Sequence, residues 1–196
     1  MHLSILMAAT AVVGGATLSA PPETPLPPAV LVLTDELCTA QKVMGDGWIT
    51  AKEKFPAGEL LCPAFESKAK EVFSDVTVAK TAPAPGTAAG KLVLIPKYIS
   101  LEATRTMSAF GQRSIVLLVE WTATDDQGKA IWIQTVQGER HEKSGNSFTW
   151  KSHSRKLLAG AVDDTAAKSF AALQQAPEIQ NLAGTVSSAT GAGRTN

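Results

Sequence analysis

The residues of this chain best suited to chemistry are two cysteines, Cys38 and Cys62, and the two histidines beyond the N-terminal segment, His141 and His153. A serine hydrolase would need one histidine oriented by a carboxylate and facing a serine. Ser144, Ser152 and Ser154 are near in sequence, but no G-x-S-x-G elbow occurs. Both histidines read as residues of a solvated strand end and loop. A thiol nucleophile needs a depressed pKa, and Cys62 just precedes a predicted helix that would favour a thiolate. An even cysteine count in an exported chain predicts instead a Cys38–Cys62 bridge, which the chain-entropy model credits with about 3 kcal/mol. The alternative is two separate buried thiols. Two distant cysteines with so few histidines make a poor zinc site.

Paired carboxylates occur as Asp125/Asp126 and Asp163/Asp164. The first pair suits a β-turn and the second the polar side of a helix. Acid–base catalysis needs carboxylates from separate elements converging in a cleft. Asp46, between Gly45 and Gly47, lacks the further carboxylates of a calcium loop. Phosphate-loop, dinucleotide-loop and paired-cysteine patterns are missing from the sequence. Lys143, Lys151, His153, Arg155 and Lys156 cluster before the second predicted helix. They form either a weak anion patch at a helix N-terminus or a solvated loop whose cations oppose the helix dipole. No catalytic residue, metal or cofactor is predicted, and the chain is not read as an enzyme.

The elements that must position these residues follow from composition and periodicity. Of 196 residues, 44% are hydrophobic and 18% charged, which marks a globular chain. The formal net charge of zero argues against a nucleic-acid partner. Residues 1–20 read as a signal peptide, with an apolar core from Leu3 to Val13 followed by small residues. Residues 21–28, PPETPLPP, read as a stiff linker. Residues 29–180 read as a single domain and 181–196 as a disordered tail. The mature chain has no membrane-spanning run.

Within that domain AVLVL, from Ala29, reads as a buried strand, and Thr34 to Ala57 as a long loop with one helical turn. Pro63 to Phe73 reads as a helix with proline in its first turn. Asp75 to Lys80 is a short strand. Lys91 to Leu101 is a strand whose Pro96 calls for an edge or a bulge. Arg113 to Asp125 and Ala130 to Glu142 form a hairpin. Pairing Asp125 with Gly128 sets Trp121 opposite Trp132, Val119 opposite Gln134 and Leu117 opposite Val136. Ser154 to Gln175 is a helix with Leu158, Val162, Ala166, Phe170 and Leu173 on one face. The expected fold is α+β, order β-α-β-β-β-β-α: a mostly antiparallel five-stranded sheet with two helices packed on one face.

Three segments, GKLVLIPKYISLEA, SIVLLVEWTATDDQGKAIWIQTVQGE and LLAGAVDDTAAKSFAALQQAPEIQNL, resemble the YajG-type family of bacterial envelope lipoproteins over about half the chain. The resemblance lies in the order of strand, long hairpin and small-residue helix. It implies a non-enzymatic, periplasm-facing envelope protein. Such families carry a lipidated cysteine after a motif like Leu18-Ser19-Ala20, and here Pro21 takes that place, which favours an unanchored periplasmic form.

The other face of the hairpin, with Val116, Leu118, Ile131 and Ile133, is more apolar than a solvated face requires. It is the candidate contact surface for an envelope protein or for self-association. A carrier of a small hydrophobic ligand, with a pocket lined by Trp121, Trp132, Phe65 and Phe170, is the alternative. A small hydrolase using Cys62 or a serine near His153 is a further one. Cell fractionation with mass determination of the mature N-terminus is expected to find an exported, unlipidated chain beginning after Ala20 or Ala16.

Overall fold

The computed structural model describes residues 25–44, 53–105, 112–143 and 150–182. Its elements are β1 (Ala29–Val32), α1 (Asp35–Cys38), β2 (Lys42–Met44), β3 (Glu53–Phe55), α2 (Ala57–Val72), β4 (Val76–Ala79), β5 (Leu92–Arg105), β6 (Gln112–Thr124), β7 (Ala130–Lys143) and α3 (Trp150–Gln175). A last helix, α4, spans residues 177–182 and opens on proline, whose missing N–H is harmless there. The expected signal peptide, the first half of the linker and the Asp46 turn lie outside the described residues. So does the expected tail, apart from 181–182, which are helical.

The main sheet has five strands in the order β4-β1-β5-β6-β7. The expected five-stranded, mostly antiparallel sheet is present, but it is mixed, and the described residues form four helices where two were expected. Strands β5, β6 and β7 pair antiparallel, but β1 pairs parallel with both β4 and β5. The reason is connectivity. Helix α2 carries the chain from β1 to β4, and such a crossover returns the chain to run parallel. A separate β2–β3 pair occupies part of the stretch expected to be loop, and α1 supplies the one helical turn expected in it. Leu26 also belongs to the fold. It is buried, and it exchanges backbone hydrogen bonds with the end of α2 at Val72 and Ser74. The linker's last residues are thus docked on the domain.

Helix α2 begins six residues before Pro63. Its first turn is held from outside: Gly58 donates its N–H to the Ala40 carbonyl. A Cβ on Gly58 would overlap the backbone of Leu37, Cys38 and Ala40, so glycine lets α1 and α2 touch. The Cys38–Cys62 disulfide joins these helices. The bridge is formed, as the cysteine count suggested.

The hairpin register also differs from expectation. Asp125 accepts the Gly128 N–H but donates its own N–H to the Lys129 carbonyl, so its strand partner is Lys129, and Gly128 takes the left-handed conformation at φ 79°. This is a three-residue loop with a glycine bulge. A second irregularity follows between Ala123 and Thr124 on β6, opposite Trp132 and Ala130. Each adds one residue to β7. Trp121 therefore faces Gln134, Val119 faces Val136, and Leu117 faces Gly138. A two-residue shift keeps each side chain on its expected face, so the alternation survives while the tryptophan pairing does not.

One face of the sheet forms the main core. Leu31, Leu94, Leu101, Ile115, Leu117, Val119 and Trp121 are fully buried there, together with Leu61 and Phe65 of α2 and Leu158, Phe170 and Leu173 of α3. Trp121 packs against Phe65 with tilted rings at a centroid distance of 4.8 Å and meets Phe170 edge-on at 5.4 Å. On the other face, Val30, Val32 and Val93 are buried with Ala88 from the loop between β4 and β5. That loop crosses β1 on its way to β5, which explains why β1 is buried on both faces.

At β7 the helix and strand touch without a side-chain layer between them. A Cβ on Gly138 would lie 2.5 Å from the Thr165 nitrogen and 2.6 Å from the Ala161 oxygen. Substituting Gly138 by valine is expected to destabilise the domain at or above the upper end of the roughly 1–3 kcal/mol typical of overpacking, read as a lowered urea midpoint. Replacing both cysteines by serine should cost about 3 kcal/mol in the same measurement.

Candidate functional site

Ring packing fills the space where a ligand carrier would need a pocket. Trp121 and Phe65 have no exposed surface, and Phe170 is buried between them and Phe73. The Trp121 indole N–H is buried and has no hydrogen-bond acceptor among the described residues. Trp132, expected to line the same pocket, is only partly buried, near the sheet's open edge. This solid core overturns the carrier reading at those residues. The hydrolase reading loses Cys62 to the disulfide. Ser154 is buried, while Ser144 and the side chains of Ser152 and His153 lie outside the described residues.

A notch of about 210 Å³ opens at one end of the sheet, lined by Pro27, Gly90, Lys91, Leu92, Asp125, Asp126 and Leu182. Its polar groups already have structural work. Lys91 Nζ donates to Asp75 Oδ2 at 2.9 Å and to Thr77 Oγ1 at 3.1 Å. Asp125 Oδ1 accepts from the backbone of Gln127 and Lys129 at 3.0 and 2.9 Å, which is the turn role the sequence suggested. Among the described residues no three histidine, cysteine or acidic side chains gather into a metal cage.

Lys143 ends β7, Arg155 and Lys156 are exposed on α3, and the side chains of Lys151 and His153 lie outside the described residues. The Asp163/Asp164 pair divides. Asp163 is exposed, whereas Asp164 accepts the Glu139 N–H at 2.9 Å and pairs with Lys168 at 2.7 Å. Partial burial alone would raise the Asp164 pKa. The Lys168 hydrogen bond and the Glu139 N–H outweigh it, with help from the charges of Lys168 and Arg140, and hold the carboxyl below its ordinary value. Asp164 thus tacks α3 onto the outermost strand.

Among the described residues no helix lies on the outer face of β5, β6 and β7. Ile133 is 62% exposed and Ile99 43%, and Val116 and Leu118 are half-buried. Of the four residues named from sequence, Ile131 departs: at the irregularity beside the turn it packs against the main core. Ile99 was missed. A bulge between Tyr98 and Ser100 shifts the strand by one, so Leu92 and Leu94 before it and Leu101 after it all face the helices. That change of parity is visible in LVLIPKYISLEA. Glu102 and Glu139 flank Val116 on this face, and Ser100 and Gln137 flank Leu118.

No family model matches the chain, and no curated protein matches it. Solved structures with a similar course of the chain include a minor lipoprotein from Acinetobacter baumannii. The two share 11% identity and a TM-score of 0.49, over 78% of this chain and 93% of that one. A Xanthomonas campestris protein of family model DUF330 matches at 12% identity and a TM-score of 0.45, over 80% and 90%. The PelC dodecamer protein of Paraburkholderia phytofirmans matches at 17% and 0.30, over 72% and 89%.

The Asp164 shift has a definite sign. A carboxyl whose folded pKa is depressed contributes stability above its unfolded pKa, and that stability is lost as pH falls through the folded value. Asp164→Asn should therefore flatten the acid limb of the stability profile, read by thermal unfolding from neutral pH to below the ordinary carboxylate pKa, with the difference from the unmodified chain closing at the lowest pH.

Proposed function

We propose that this chain is an exported cell-envelope protein that works by binding or assembly rather than by catalysis, and that its outer sheet face is the contact surface. One observation carries the reading. Helices seal one face and a loop covers the β1 side of the other, yet the β5–β7 part of that face stays open with Ile133 62% and Ile99 43% exposed. Polar and charged residues surround these apolar side chains, as expected of a rim around a contact patch.

Export rests on residues 1–20. The YajG-type resemblance of the three segments around the hairpin and α3 supports an envelope role. With Pro21 where a lipidated cysteine would stand, the periplasmic form is the unanchored one. Among the described residues no helix is long and apolar enough to cross a membrane. The contact set is Val116, Leu118, Ile133 and Ile99.

The test is crosslinking in intact envelopes followed by affinity capture of the tagged chain. The expected outcome is a discrete partner that Ile99→Lys with Leu118→Lys removes, while thermal stability falls by no more than a few degrees. If the unmodified chain captures nothing, or the double variant captures the same partner equally well, the outer face is not the contact surface.

A further inference from the structure

We draw no further inference here: the strongest candidate, the uncharged edge of the sheet along β7 from Ala130 to Gln137, where the N–H groups of Ile133, Thr135 and Gln137 point away from β6 as that of Glu139 does toward Asp164, carries nothing because nothing in the structure shows what covers it.

Discussion

The rest of the structure depends on the direct approach of α3 to β7 at Gly138. With no Cβ there, the helix backbone at Ala161 and Thr165 rests on the strand itself. Thr165 and Ser169 turn their hydroxyls back to the carbonyls of Ala161 and Thr165, so two buried polar groups are satisfied within the helix. Seating this stripe of small residues on β7 fixes the rotation of α3. Leu158, Val162, Phe170 and Leu173 are then directed into the main core, where Phe170 meets Trp121. The same seating brings Asp164 over the edge of β7 at Glu139. A side chain at position 138 would lift the helix and undo both.

The architecture follows as a one-sided arrangement. Two helices bury the face that carries Trp121, and α2 is fixed at its N-terminal turn by α1 and the disulfide. The loop between β4 and β5 closes the other face only over β1. Its Gly86 donates to the Asp126 carbonyl of the hairpin turn, and Pro85 lies against Gly128. This fastens the loop to one end of the hairpin and leaves the rest of the outer face open. Where α3 leans on the second half of β7, the edge is protected by charge and by Asp164. Away from that contact, the edge from Ala130 to Gln137 carries no charge, and Ile133 and Ile99 are exposed on the outer face among polar and charged neighbours.

Much of this was legible in the sequence because it is local. The alternation of Ile115, Leu117, Val119 and Trp121 identifies a strand and its buried face, and the spacing from Leu158 to Leu173 identifies the inward side of α3. Cys38 and Cys62 announce their bridge by number and compartment. The hairpin register was not legible, since it hinges on Gly128 taking a left-handed conformation and on one further extra residue near Ile131. The parallel pairing of β1 was missed because the order β-α-β names a crossover without saying which strands it joins. Gly138 and the Asp164–Glu139 bond join residues 25 apart in the chain, and no periodicity reports such a contact. Ile99 was within reach: the parity change across Tyr98 and Ser100 is written in the residues, and Pro96 already pointed to a bulge.

The central claim is that α3 closes the second half of β7 and leaves the first half open for contact. Residue-resolved hydrogen exchange of the backbone amides of Ile133, Thr135, Gln137 and Glu139 tests it most directly. The Glu139 amide should be protected by Asp164 while the other three exchange rapidly. Equal protection of all four at every dilution, or rapid exchange at Glu139 alongside the others, would contradict the account.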